Sequence, residues 1–268
     1  MTDLLTIPGF AINPDQRDNA ELPARWLELF GVDRVPHAQR LDSIILFSLQ
    51  RPEDFDRVEI YYREATELGF HFHVRIHKGA GVTMHQVKDA YPLATVALGN
   101  GKSAGDALLT RGDVLEDDAG IRSAVQVARA KPRLPIAFHE YGNAGFDPMR
   151  HLRLLRHWYP EQTFWMTEAA WSFQPYDPSE GTATTTAPAP HETTAAGVYC
   201  RTLVNIAAMY NIPVTLFRGV DYFTRDGDTF RPNGAALALV DAKYRYGYKP
   251  PAGRARSLTV GMYRRQYL

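Results

Sequence analysis

Two glutamates directly follow apolar runs, at places where buried strands are predicted to end. One run begins at Ile136 and ends in a His-Glu-Tyr triplet that contains Glu140, and the other begins at Phe164 and reaches Glu168. A carboxylate where a buried strand emerges is partly desolvated, so its proton affinity can be adjusted for acid, base or nucleophilic work. A carboxylate that caps a following helix would stand in the same place. Glu168 and Glu140 are therefore the candidate catalytic residues.

The elements that must position these residues follow a βα pattern. Short apolar runs alternate with helical stretches, which is typical of a parallel sheet. Strands are predicted over residues 7–13, 43–48, 70–76, 93–98, 135–139, 163–167 and 213–217, and a weaker run over 32–35 would make eight. Helices are predicted over 52–68, 117–130, 147–158 and 193–210. Because 268 residues suit one eight-fold barrel, we expect an α/β fold, a (β/α)8 TIM barrel, in a single domain over 1–268.

In their order and spacing these motifs resemble the clan A glycoside hydrolases, a superfamily of retaining glycosidases. Trp165-Met-Thr-Glu168 is similar to the end of the family's strand seven, which carries the nucleophile. His139-Glu-Tyr141 is similar to its strand six, whose tyrosine approaches that nucleophile. The stretch from Phe217 to Phe223, with the residues after it as far as 250, looks like the family's last strand and the helix that follows.

This resemblance implies a (β/α)8 barrel that hydrolyses a carbohydrate substrate, with Glu168 as the nucleophile and no cofactor. As a chemical rather than a structural residue, Glu168 is expected to be replaceable by Gln with little loss of stability. The implied substrate-binding residues are Asn100, His139, Tyr141, Trp171, Arg218, Asp221 and Tyr222, and Phe223 would line a sugar subsite beside them.

The family's proton donor is missing from its usual position. A glutamate should follow the asparagine at the end of strand four, but Asn100 is followed by Gly101, and glycine cannot transfer a proton. Glu140 is the first substitute, although it points away from the barrel if its neighbours on a regular strand point inward. Asp106 is the second substitute. An alternative hypothesis is a carbohydrate-binding pseudo-glycosidase barrel without catalytic activity.

A metal-dependent hydrolase of the amidohydrolase type is a further alternative. The third predicted strand would place His71, His73 and His77 on one face with Arg75, and a His-x-His pair on a barrel strand can hold a metal ion. Further ligands would have to come from later strands, and the candidates are His139 and Asp221. Since His71 and His73 stand at the start of the strand, hydrogen-bonded histidines are the favoured interpretation, and no metal is predicted.

Composition excludes several classes of function. The chain has 30 basic and 30 acidic residues, so no overall field attracts nucleic acid or an anionic membrane. Cys200 is the single cysteine, which excludes an internal disulfide and is interpreted as buried packing. No apolar run approaches the roughly 18 residues of a membrane span, and the N-terminus lacks the pattern of a signal peptide. These features favour a soluble protein, either cytoplasmic or of a location that the sequence does not identify, and leave its oligomeric state open.

Overall fold

The computed structural model describes residues 6–12, 20–39, 43–77, 79–99, 136–142, 160, 164–171, 194–226 and 229–241. The strands are β1 (Gly9–Ile12), β2 (Ile44–Leu49), β3 (His71–His77), β4 (Thr95–Gly99), β5 (Ile136–Gly142), β6 (Phe164–Trp171), β7 (Val214–Leu216), β8 (Phe223–Asp226) and β9 (Thr229–Pro232). The α-helices are α1 (Leu22–Leu29), α2 (Phe55–Glu67), α3 (Met84–Ala90), α4 (Thr194–Met209) and α5 (Gly234–Val240). The helices predicted over 117–130 and 147–158 lie outside the described residues.

Helix α2 shows how local sequence sets these elements. Asp54 ends a short 3₁₀ turn, and its carboxylate accepts a hydrogen bond from the Arg51 backbone N–H at 2.9 Å. The buried residues Val58, Tyr61 and Ala65 recur at helical spacing along one face. The helix ends before Gly69, which adopts a φ of +90° that other residues rarely reach. The helix predicted over 52–68 is thereby confirmed.

Seven strands form one sheet in the order β4-β3-β2-β1-β7-β6-β5, and every pairing in it is parallel. Parallel neighbours need a crossover connection, and α1, α2 and α3 follow β1, β2 and β3 in turn. Strands β8 and β9 form a separate antiparallel hairpin after β7. Within the described residues, no helix combines the length and the apolarity needed to cross a membrane.

The sheet is strongly curved. Strands β3 and β6 are separated by three other strands, so on a flat sheet they would lie about 19 Å apart. Nevertheless Arg75 of β3 contacts Glu168 of β6, and the rings of His73 and Trp165 are 4.9 Å apart between the same two strands. The concave side that carries these residues is called the inner face below, and the convex side the outer face.

The prediction of a closed (β/α)8 barrel is wrong for this chain. Within the described residues, the sheet contains seven strands instead of eight and is open, because its two edge strands, β4 and β5, do not pair. The weak candidate at 32–35 is irregular, since Gly31 turns the chain at a φ of +69° just after α1. The Val35 N–H donates to the carbonyl of Leu68, at the end of α2, and not to a neighbouring strand.

Most of the apolar residues lie on the outer face. Phe47, Phe72, Val74 and Met166 are almost fully buried there against the helices. The inner face carries a smaller apolar cluster, which consists of Ala11, Ile44, Leu46 and Trp165 with Phe217 beside them. Because side chains alternate along each strand, the outer face forms the main apolar core and the inner face carries most of the polar side chains discussed below.

The close approach of α4 and α5 requires a glycine. A Cβ at Gly197 would overlap the carbonyl oxygen of Ala235 and lie 2.8 Å from the Cβ of Ala238. We expect Gly197→Ala to lower the free energy of unfolding by about 1–3 kcal/mol, because the two helices must separate to admit the methyl group. Urea denaturation measures the loss, with Ala208→Ser on the exposed side of α4 as the control. Equal stability of the two variants would contradict this packing.

Candidate functional site

A bulge in β6 directs Glu168 to the inner face. The partners of Met166 and Ala169 on β7 are only two residues apart, so Thr167 and Glu168 together oppose one residue. Met166 and Ala169 both pack in the outer core. On a regular strand Glu168 would share the outer face with Met166. The extra residue of the bulge reverses that assignment, and such re-aiming of a side chain is a recurrent use of bulges next to functional sites.

Glu168 forms a buried ion pair with Arg75. The Arg75 Nη2 donates to Glu168 Oε1, and the two side chains are only 8 % and 9 % exposed. The same nitrogen donates to the hydroxyl of Ser48 on β2 at 3.0 Å. An ion buried to this degree needs a partner, since an isolated charge in the interior is strongly unfavourable. The guanidinium neutralises the charge of the carboxylate and holds it on the inner face.

A layer of neutral side chains lies next to this ion pair. The His73 ring packs edge-on against Trp165 at 4.9 Å, and the Trp165 Nε1–H donates to Thr215 Oγ1 at 3.0 Å. The Nδ1 atom of His73 is buried without a hydrogen-bond partner among the described residues. Burial lowers the pKa of His73 to about 4, and the neighbouring His71 contributes to the shift.

The low pKa of His73 predicts a loss of stability in acid. Between its ordinary value of 6.5 and about 4, the unfolded chain binds a proton at this ring and the folded chain does not. The contribution of His73 to the free energy of unfolding is therefore fully present above pH 6.5. It falls by about 3 kcal/mol as the pH drops to 4. Urea denaturation across this range should show that His73→Gln removes this part of the pH dependence. His85→Gln, at an exposed position of α3, is the control. A His73→Gln profile that parallels the parent chain would contradict the assignment.

The end of β7 carries a second ion pair. Arg218 donates from Nε to Asp221 Oδ2 at 3.0 Å and from Nη2 to Asp221 Oδ1 at 3.1 Å. The Asn233 side chain donates to the Asp221 carbonyl at 2.7 Å and so ties this turn to the start of α5. The Arg218 guanidinium lies 5.9 Å from the centre of the Phe217 ring. Arg218 and Asp221 therefore neutralise each other's charge at the carboxyl edge of the sheet.

The structure does not place Tyr222 where a sugar platform would be. Its side chain is buried, with 3 % of the residue exposed, and its ring packs edge-on against Trp26 at 5.3 Å in the outer core. Burial raises the pKa of its hydroxyl well above the ordinary value, and the Cys200 thiol beside it adds to the shift. Phe223 is buried in the same core. Both aromatic residues are structural, so the expectation that they line sugar subsites is corrected.

The other predicted site residues lie on or near the strand ends. In the register of β5 with β6, His139 pairs with Glu168 and Glu140 pairs with Ala169. Tyr141 lies two positions, and Trp171 three positions, beyond the His139–Glu168 pair toward the carboxyl edge of these strands. Three further residues of the prediction lie outside the described residues, and these are Asn100, Gly101 and Asp106.

Sequence reasoning missed Arg75 as the inner-face partner of Glu168, and Ser48 as a further partner of Arg75. Arg75 was noted only as a neighbour of the strand histidines, and Ser48 was not considered. The available signal was a charged residue between Val74 and Ile76, in the middle of a strand whose alternate residues are apolar. A charge at such a position is expected to have a buried counter-charge.

The histidines of β3 lie on the inner face as predicted, since the residues between them pack in the outer core. The rings of His71 and His73 are 6.3 Å apart. Across the described residues, no group of three His, Cys, Asp or Glu side chains is arranged to hold a metal ion. The hypothesis of a metal-dependent hydrolase therefore has no support from this part of the chain.

Chemically, the site offers one buried anionic oxygen group next to a fixed cation. Ala169 pairs with the last residue of β7, so Glu168 lies at the level where β7 ends and near the carboxyl edge of the sheet. Ligands of open parallel sheets bind at this edge. A carboxylate held there can attack a carbon centre or stabilise a developing positive charge. Comparison of the chain with protein-family models, curated proteins and solved structures finds no match.

Proposed function

We propose that this chain is a glycoside hydrolase-like enzyme that acts on a carbohydrate, with Glu168 as its nucleophile. The observation that carries the proposal is the buried Glu168 carboxylate, which a bulge turns to the inner face and Arg75 holds there in an ion pair. Bulges that re-aim a side chain in this way are over-represented next to active sites. The resemblance of residues 165–168 and 139–141 to a retaining glycosidase supports the same function.

The chemistry assigned to Glu168 has two steps. Its ionised oxygen attacks the anomeric carbon of the sugar while the glycosidic bond breaks, which gives a covalent glycosyl-enzyme. Water then displaces the carboxylate from that carbon and releases the sugar with its original anomeric configuration. The ion pair with Arg75 is present throughout the resting state, so the carboxylate is oriented before substrate arrives.

Covalent trapping tests this proposal directly. In a 2-deoxy-2-fluoro glycosyl fluoride, the 2-fluoro group slows both steps because it destabilises the positive charge that develops in each. The good fluoride leaving group accelerates only the first step, so the glycosyl-enzyme accumulates. With a panel of such sugars, we expect the intact mass to increase by one glycosyl group and the labelled peptide to carry it on Glu168. Glu168→Gln should remain unlabelled, and Glu53→Gln, at an exposed carboxylate, should be labelled like the parent. Labelling at another carboxylate would contradict the role of Glu168.

A carbohydrate-binding protein without catalysis is the second candidate, and Gly101 favours it. Glycine stands where the glycosidases that the chain resembles have their proton donor. Binding of oligosaccharides measured by calorimetry, with no turnover of activated or ordinary glycosides and no covalent labelling, would support this second function. Turnover or labelling would exclude it.

A further inference from the structure

Hydrolysis through Glu168 leaves one chemical role unfilled, and the inner face of β3 offers a residue for it. The leaving sugar must receive a proton, and the attacking water must later lose one. Both transfers need a titratable group on the side of the substrate opposite the nucleophile. The described inner-face histidines of β3 are His71, His73 and His77.

Position and environment separate these three histidines. His71 opens β3 at the amino edge of the sheet. His73 lies two residues before Arg75, packed against Trp165, and its pKa of about 4 leaves it without a proton at neutral pH. His77 ends the strand, two residues beyond Arg75 on the same face, which is about 7 Å closer to the carboxyl edge.

The described surroundings of His77 differ from those of the other two histidines. His77 is half-buried, so part of its side chain is accessible, while its Nε2 atom is enclosed. Its register partner at the end of β4 is Gly99, which has no side chain to cover the imidazole. Near His77, the charged groups of the described inner face are Arg75, on the same strand, and Glu168, on β6. These two residues form an ion pair and neutralise each other. On β2, Leu49 pairs with Ile76 and packs in the outer core, and the next residue, Gln50, is uncharged and exposed.

From this arrangement we infer that His77 is the proton donor and acceptor of the reaction proposed for Glu168. In the first step the His77 imidazolium gives its proton to the glycosidic oxygen as the carbon–oxygen bond breaks and Glu168 bonds to the anomeric carbon. The alcohol leaves as a neutral molecule. In the second step the neutral imidazole takes a proton from water as that water bonds to the anomeric carbon and displaces Glu168. The inference rests on the proposed function, and it assigns to β3 a role that the sequence predicted for Glu140.

The leaving group provides the test. A 2,4-dinitrophenyl glycoside needs no proton to leave, so His77→Gln should form its glycosyl-enzyme as fast as the parent. With an ordinary sugar or methyl leaving group the same variant should be slower by about 10² to 10⁴-fold. The alkaline limb of its kcat/KM profile should also disappear, because no donor remains to lose its proton. His71→Gln, at the other end of the same face, is the matched control and should keep the parent's rates and profile.

Other results would contradict either the assignment of His77 or the proposed function itself. If Glu168 is trapped covalently but His77→Gln keeps the alkaline limb and Glu140→Gln loses it, the assignment of His77 is wrong while the proposed function stands. A slow formation of the dinitrophenyl intermediate in His77→Gln would also overturn the assignment, since it would indicate a positional role. If the parent chain neither turns over nor is labelled by any glycoside, the proposed function fails and the role of His77 fails with it.

Discussion

Replacing Glu168 with glycine is expected to lower the turnover of activated glycosides by about 10³-fold or more, because the covalent route needs this nucleophile. Sodium azide should restore much of the rate, since the small anion can occupy the space that the carboxylate leaves beside Arg75. The product identifies the mechanism. A single displacement by azide gives a glycosyl azide of inverted configuration, whereas the parent enzyme releases sugar with its configuration retained.

The parent chain in azide is the control for this experiment, and its rate should not increase. Nuclear magnetic resonance of the reaction mixture assigns the anomeric configuration of each product. Normal turnover by Glu168→Gly in the absence of azide would show that the nucleophile lies elsewhere. A rate increase with unchanged configuration would show that azide acts by restoring the fold around Arg75 instead of replacing the nucleophile.

The second large effect concerns stability. From the sequence alone, Glu168→Gln is expected to leave the stability nearly unchanged, but the ion pair with Arg75 alters that expectation. Removing one partner leaves the other as an uncompensated buried charge. Glu168→Gln and Arg75→Met should therefore each lower the free energy of unfolding by about 3–5 kcal/mol. The double variant removes both charges together. It should therefore be less destabilised than the sum of the two single variants.

Urea denaturation of the four proteins gives the coupling energy of this pair. The exposed pair of Glu59 and Arg63 on α2 is the matched control, with side chains 45 % and 72 % exposed. Ion pairs at such positions contribute about 0–1 kcal/mol. A coupling energy for Arg75 and Glu168 no larger than that of the surface pair would show that water reaches the site and that the pair does not hold the nucleophile.

Local sequence was sufficient to predict most elements near the site. The seven stronger apolar runs correspond to the seven strands of the sheet, and the helices predicted over 52–68 and 193–210 correspond to α2 and α4. These predictions succeed because the periodicity of apolar residues and the residues that begin or end an element act over a few positions. The position of Glu168 near the carboxyl edge follows from the same local pattern.

The ion-pair partner of Glu168 could not be predicted in this way. Arg75 is 93 residues away in the chain, and the two meet only because the sheet curves between β3 and β6. The bulge at Thr167 is also a property of pairing with β5 and β7, not of residues 164–171 alone. Before the pairing is known, alternation places Glu168 on the face of Met166, which is the outer one.

The amino-acid sequence by itself determined the parallel α/β elements and the type of group, a strand-end carboxylate, that could perform the chemistry. Tertiary structure alone decided that β4 and β5 do not pair within the described residues, that Tyr222 packs in the core, and that Glu168 pairs with Arg75 on the inner face. The physical reason is the range of the interactions. Hydrophobic periodicity depends on residues that are close in the sequence. Strand register, sheet curvature and the neutralisation of a buried charge depend on contacts between distant parts of the chain.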